Sequence, residues 1–328
     1  MLKLTRRLFV AAATLTLSTL LPAQLPAWAA GLEELRIDWA TYNPVSIVIK
    51  DQGLLEKAFE KDGTAIRWVQ SAGSNKALEF LNAGSIDFGS TAGAAALIAK
   101  VNGNPIRSIY VYSRPEWTAL VTGKDSQIKS VADLKGKSVA VTRGTDPHIF
   151  LVRALDEAGL TDKDVRFVLL QHADGRAALS RGDVDAWAGL DPMMASAELE
   201  EGAVLFYRKP EANTWGVLNV REEFAEAHPE AVAKVLEVYE QARKWALDNP
   251  DALAELLARE ARIPLEVAKK QLSERTELTH NRIAPDQRAS ILAAGLALQK
   301  AGVLPADVNV EQTVDNLLDD RFSRDLTN

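Results

Sequence analysis

The sequence predicts an α/β protein made of two similar lobes with a cleft between them, each lobe a mostly parallel sheet with flanking helices. Three observations carry this. Leu81-Asn82-Ala83-Gly84-Ser85-Ile86-Asp87 and Leu179-Ser180-Arg181-Gly182-Asp183-Val184-Asp185 are one phrase written twice, Leu-x-x-Gly-x-Ile/Val-Asp. Short apolar runs alternate with helical spacing over the first two-thirds of the chain. Its length of 328 residues is more than one hydrophobic core usually organises. In each copy of the phrase the glycine ends a helix, because it accepts a left-handed backbone, and the Ile/Val-Asp pair opens a buried strand. The copies continue as Phe88-Gly89-Ser90-Thr91-Ala92-Gly93 and Ala186-Trp187-Ala188-Gly189-Leu190-Asp191-Pro192. Both read as strand ends running into helix starts, where open α/β sheets hold ligands.

In order, Leu35 to Trp39 alternates as a strand and Val45 to Phe59 has helical spacing. Ile66 to Val69 reads as a strand, Asn75 to Leu81 as a helix, Ile86 to Phe88 as a strand, Ala94 to Val101 as a helix and Ile106 to Tyr112 as a strand. This βαβαβ order marks a parallel sheet. A second series follows Arg114-Pro115-Glu116: strand Trp117 to Val121, short helix Ser130 to Leu134, strand Ser138 to Val141 and helix Asp146 to Ala158. It goes on with strand Val165 to Leu170, helix Arg176 to Leu179, strand Val184 to Trp187, helix Met193 to Leu199 and strand Val204 to Tyr207. From Trp215 the character changes to long Ala/Glu/Lys/Leu helices, over 229–247, 250–260, 265–272 and 286–300. A tail with no strands of its own needs a partner surface. It is expected to pack back on the first lobe, so that lobe 1 comprises 30–117 and 214–328 and lobe 2 comprises 118–213.

Residues 1–29 read as a cleaved export signal. Arg6 and Arg7 precede an apolar run from Leu8 to Leu21, too short for a stable membrane span, and Ala27-Trp28-Ala29 is a small-x-small cleavage pattern. Thr5-Arg6-Arg7-Leu8-Phe9-Val10 fits the twin-arginine pattern as well as the general secretory one. With no cysteine there is neither a lipid-attachment site nor a disulfide framework. Removing the signal takes away Lys3, Arg6 and Arg7 and no acid, so the formal charge goes from −7 to −10. Nucleic acid is therefore not an expected partner. A small anion is compatible, because helix N-termini can hold one inside an acidic protein.

Four segments resemble the periplasmic substrate-binding components of ABC importers, in the branch that takes aliphatic sulfonates, taurine and nitrate. They are Gly84 to Thr91, Ser130-Val131-Ala132-Asp133-Leu134-Lys135-Gly136-Lys137, Arg153 to Leu160, and Gly182 to Ala188. Gly-Ser-Ile-Asp with Asp-Ala-Trp-Ala is the part most similar to alkanesulfonate binders; Leu190 and Ala92-Gly93 depart from that pattern. The resemblance implies a two-lobed periplasmic binding protein of type II-like fold, a monomer that passes a small organosulfonate to a membrane permease and uses no cofactor. Taurine, aryl sulfonates or sulfate esters, and nitrate are the alternative ligands.

A sulfonate is a fixed monoanion with three acceptor oxygens, suited to N–H groups and hydroxyls at helix starts. Three loops have that character: Gly73-Ser74-Asn75, Ser90-Thr91, and Gly144-Thr145-Asp146. Each residue is also an ordinary N-cap type. Asp146 would repel an anion, so it either faces away as a cap or meets a cationic part of the ligand. Tyr42 and Asn43 after the first strand, Trp117 and Trp215 at the two crossings between lobes, and Trp187 with Asp191 after the second repeat complete the ligand-binding candidates; core packing is the competing role for the aromatics. Trp39, Trp68 and Trp245 are assigned to packing.

No catalytic constellation is evident. Gly89-Ser90-Thr91-Ala92-Gly93 puts threonine where a nucleophile elbow holds serine, and no histidine is placed to activate it. His148, His172, His228 and His280 have no metal-ligand spacing. His148, in a first helical turn, is expected to be solvated or capping. Gly136-Lys137-Ser138 lacks the first glycine of a phosphate loop, Val131 standing there. An enzyme of the thiamine-precursor synthase type is the remaining alternative, and the export signal weighs against it.

Overall fold

The computed structural model describes residues 31–326; the export signal read in residues 1–29 lies outside them. The strands are β1 (Glu34–Trp39), β2 (Ala65–Gln70), β3 (Phe88–Ala92), β4 (Ile106–Pro115), β5 (Leu120–Thr122), β6 (Ser138–Val141), β7 (Arg166–Leu169), β8 (Ala186–Ala188), β9 (Val204–Tyr207), β10 (Gly216–Arg221) and β11 (Thr276–Glu277). The helices are α1 (Pro44–Asp51), α2 (Leu54–Phe59), α3 (Ser74–Asn82), α4 (Gly93–Val101), α5 (Asp146–Glu157), α6 (His172–Arg181) and α7 (Met193–Glu201). The tail adds α8 (Glu222–Ala227), α9 (Pro229–Asp248), α10 (Pro250–Ala261), α11 (Leu265–Arg275), α12 (Pro285–Lys300) and α13 (Val310–Leu317).

Two sheets result, with orders β11-β4-β10-β3-β1-β2 and β9-β5-β8-β6-β7. Leaving out β11, the two orders superimpose strand for strand. With β11, which pairs antiparallel with β4 at the edge, set aside, one strand in each sheet runs against the rest: β10 in the first and β5 in the second. These are the strands delivered by the two crossings, since β5 follows β4 of the first sheet and β10 follows β9 of the second. The lobes are thus duplicates that each lend a chain segment to the other.

The repeated phrase does one job in both. Gly84 and Gly182 take left-handed φ of 63° and 75°, where a Cβ is disfavoured. The aspartates then tie the start of the following strand to its neighbour. Asp87 N–H donates to Arg36 O at 2.7 Å while its carboxylate accepts from Arg36 N at 2.9 Å. Asp185 makes the same pair with Ser138, at 3.0 and 2.8 Å.

The tail does pack on the first sheet. On α9, Val232, Val235, Leu236 and Tyr239 are fully buried at i, i+3, i+4, i+7 spacing against α1, α2 and β4, each such side chain contributing about 1.5–3 kcal/mol of burial. α12 and α13 cover α4.

Several expected boundaries move. The single helix of 45–59 is two, α1 and α2, broken at Gln52-Gly53. The expected strand 86–88 lies over Phe88–Ala92, so Ser90 and Thr91 are strand residues and open no helix. Trp117 lies between β4 and β5, not in a strand. The tail is not strandless: Gly216–Arg221 is an inner strand, because alternating apolar positions and two neighbours outweigh its short length. Among the described residues no helix is long and apolar enough to cross a membrane.

Candidate functional site

Six helices begin where strands of the parallel sets end: α1, α3 and α4 after β1, β2 and β3, and α5, α6 and α7 after β6, β7 and β8. The two sets of strand ends face one another. Between them lies a small cavity to which every one of these turns contributes a residue: Tyr42, Ser74 and Ala92 from the first lobe, and Thr145, His172 and Leu190 from the second. Trp117 of the first crossing, Asp146 and Pro147 complete the lining. No lysine or arginine is among these residues.

The N-cap residues of α3, α4, α5 and α6 make no side-chain hydrogen bond to the first N–H groups of these helices. Those of α4 are engaged otherwise: Gly93 N–H donates to Trp215 O at 2.9 Å and Ala94 N–H to Thr214 Oγ1 at 3.1 Å. α3, α5 and α6 direct uncapped N-termini, with their partial positive charge, to the cavity. His172 is the first residue of α6, is 2% exposed, and neither ring nitrogen has a hydrogen-bond partner. Burial pushes its pKa down to about 3, so the ring is neutral, with one N–H donor and one acceptor. Ser74 Oγ accepts from Ala92 N at 3.0 Å, which leaves its O–H as a donor. Thr145 donates its O–H to Thr142 O at 2.7 Å, so its hydroxyl proton is not offered to the cavity.

Asp146 is buried but takes neither expected role. Its Oδ2 accepts from Trp117 Nε1 and Thr214 N, both at 2.9 Å, and its Oδ1 from Thr214 Oγ1 at 2.7 Å. It therefore ties the start of α5 to both crossings. Burial raises its pKa against these donors. The crossings are also tied to each other, Thr118 N donating to Asn213 Oδ1 at 3.0 Å.

Ser90 and Thr91 are buried one layer behind the cavity. Ser90 N and Oγ each donate to Asp38 Oδ1 at 2.9 Å, and Asn43 Nδ2 donates to Ser90 Oγ at 2.8 Å. Tyr42 O–H donates to Ser90 O at 3.0 Å, which fixes the ring at the cavity wall. Burial raises the Asp38 pKa to about 7. Thr91 Oγ1 accepts from Asn219 Nδ2 at 2.8 Å and has no histidine beside it, unlike an activated nucleophile. Gly73 borders the cavity opposite His172, and Gly144 faces Asn75.

Three candidates lie elsewhere. Trp187 fills the core of the second lobe against Gly175. Asp191 is paired with Arg275 of α11, Oδ2 to Nε at 2.6 Å, and caps α7 through Ala195 N at 3.0 Å. The Trp215 ring lies in a different groove, edge-on to His280 with centroids 4.6 Å apart and under the Arg114 guanidinium. His148 is buried edge-on against Phe167 rather than solvated, and burial lowers its pKa to about 4. Sequence reasoning missed His172, which holds in the second repeat the place Ser74 holds in the first; aligning the copies by strand order, not by the short phrase, exposes it. Trp39 packs against the core as expected and also lines a groove of about 850 Å³ that shares His172 with the cavity.

Residues 58–253 match the family described as NMT1/THI5 like. A putative aliphatic sulfonates-binding protein of Escherichia coli (strain K12) is 30% identical over 284 residues, 86% of this chain and 88% of that protein. The alkanesulfonate-binding protein SsuA from Xanthomonas axonopodis pv. citri, solved bound to MOPS, has a TM-score of 0.79 at 28% identity, covering 87% of this chain and 98% of its own. A desulfurization enzyme, DSZB, shares the fold alone, with a TM-score of 0.62 at 18% identity over 87% of this chain and 98% of its own.

Proposed function

This chain belongs to the NMT1/THI5-like family, and from that premise we propose that it is an exported solute-binding protein that captures a small organosulfonate between its lobes for an ABC permease. The observation that carries the reading is the set of groups lining the cavity, which at about 10 Å³ is closed down to the size of one water. Uncapped starts of α3, α5 and α6 converge there with a buried His172 whose ring nitrogens are both unpartnered, and no basic side chain lines it. Such a set favours a fixed monoanion held by neutral donors, because no proton need move and no counter-charge need be buried. Tyr42 and Trp117 would flank the carbon attached to it, with Gly73, Ser74, Gly144 and Thr145 supplying the two loops. Ser90 and Asn43 act behind them by positioning Tyr42, Thr91 by anchoring β3 to Asn219 of β10, and Asp146 by holding the crossings.

The lobes in this reading are 30–117 with 214–328, and 118–213. Ligand contacts made with both lobes exist only in the closed form, so binding shifts the population toward closure, whose surface the permease reads. The relatives are binding proteins, periplasmic where their names say so, which supports export by residues 1–29, release into the periplasm, and binding without turnover.

A thermal-shift and calorimetry panel on the purified mature protein tests this, with alkanesulfonates, taurine, an aryl sulfonate, a sulfate ester and nitrate. Stabilisation by mass action at one-to-one stoichiometry, with alkanesulfonates strongest and recovered unchanged, is expected. Release of sulfite or sulfate during incubation would establish an enzyme instead.

A further inference from the structure

On the other side of His172 from the cavity, sharing that residue with it, lies the groove walled by Trp39 and Gln70 from one lobe and Gln171 and Met193 from the other. Three guanidinium groups reach it. Arg176 is held by Glu200 and Glu201, both at 2.6 Å. Arg259 pairs with Asp51 and with Glu260. The Arg262 guanidinium has no hydrogen-bond or ion-pair partner among the described residues, although the residue's backbone N–H donates to Arg259 O at 3.3 Å. Arg262 is also, among the described residues, the one residue other than glycine with positive φ, 55°, at the C-cap of α10. Glycine is the usual occupant of such a site because a Cβ is disfavoured there. A cation near a helix C-terminus is favourable in itself, but Arg259 already supplies one in the last turn without a strained backbone. Arg262 thus holds an unpaired charge, at a conformational cost, in the groove that adjoins the cavity at His172.

We propose that Arg262 receives a second anionic group at the far end of the ligand, so that the preferred class is organosulfonates whose tail ends in a carboxylate or a second sulfonate. The inference rests on the sulfonate reading above. The sulfonate sits at the helix starts, the tail passes His172, and its methylenes lie against Trp39 and Met193. The distal anion then meets the one guanidinium of the groove that has no carboxylate of its own.

Calorimetry on the mature protein tests this with alkanesulfonates and ω-carboxyalkanesulfonates of matched chain length, at low and high salt. At the best length the carboxylated ligand should bind about two- to fivefold more tightly, the range for an exposed ion pair, and the advantage should shrink as salt is raised. In Arg262→Gly it should vanish while affinity for the methyl-terminated ligand is kept, and the unliganded variant should melt no lower than wild type, because glycine relieves the left-handed backbone. An advantage that is absent at every length, or that survives in Arg262→Gly, overturns the proposal. So does an equal loss for both ligand series in the variant, which would mean that Arg262 only steers anions inward. Failure of every sulfonate to bind would remove the reading beneath it.

Discussion

Gly73 and His172 meet across the cleft: a Cβ built on Gly73 would lie 3.0 Å from His172 Nε2 and 3.2 Å from its Cδ2. The φ of Gly73 is 163°, extended backbone that any residue adopts, so glycine is needed there for space and not for conformation. Because the two residues belong to different lobes, the space matters only when the lobes are together.

Gly73→Ala should therefore weaken ligand binding while leaving the fold nearly as stable. Overpacking of about 1–3 kcal/mol, felt only in the closed form, corresponds to about five- to hundredfold in affinity. Calorimetry paired with thermal melts checks this. A variant with unchanged affinity would mean that His172 swings aside at no cost.

His172 makes stability depend on pH in a predictable direction. In the folded protein it stays neutral down to about pH 3, whereas in the unfolded chain it takes a proton near 6.5. Between those values the unfolded state binds more protons, so stability is lost as pH falls, by up to about 1.4 kcal/mol per unit. Asp38, raised to about 7, acts oppositely: the folded state binds the extra proton, and stability is gained as pH falls from about 7 toward 4. Urea midpoints at pH 7 and pH 5 should show His172→Gln losing less stability on acidification than wild type, and Asp38→Asn losing more.

Asp146 accepts three hydrogen bonds from the crossings. Asp146→Ala leaves the Trp117 and Thr214 donors buried without acceptors, at about 1–3 kcal/mol each, and should lower the melting temperature and alter Trp117 fluorescence. Asp146→Asn keeps one acceptor oxygen and should be milder. Equal effects of the two would mean that the carboxylate is not what joins the crossings.

Arg275 and Asp191 are both buried, and Arg275 also reaches Glu198 Oε2 at 2.8 Å. Removing one partner strands a charge in the interior, so Arg275→Met should cost about 3–5 kcal/mol, and adding Asp191→Leu should restore much of it. A double-mutant cycle by urea denaturation measures the coupling; additive losses would count against a direct pair.

The duplicated lobe, the alternation of strands and helices up to residue 207 and the sulfonate-binding resemblance were legible in the chain, because periodicity and the Leu-x-x-Gly-x-Ile/Val-Asp phrase are local properties of residues a few positions apart; the place of β10 inside the first sheet was not. So were Tyr42, Ser74 and Thr145, which stand at strand-to-helix turns visible in the pattern. The direction of a side chain is not local. Ser90 and Thr91 look like helix-opening hydroxyls until the strand runs four residues further, to Ala92, and turns them onto Asp38 and Asn219; Trp215 looks like a clamp until its ring is packed on His280 in another groove. Asp146 seemed at odds with an anion site because its partners, Trp117 and Thr214, lie 29 and 68 residues away. His172 carries no motif at all. Its meaning comes from burial beside Gly73, a glycine 99 positions earlier, and only the packing of one sheet's strand ends against the other's brings those two residues together, with the histidine's nitrogens left without a partner.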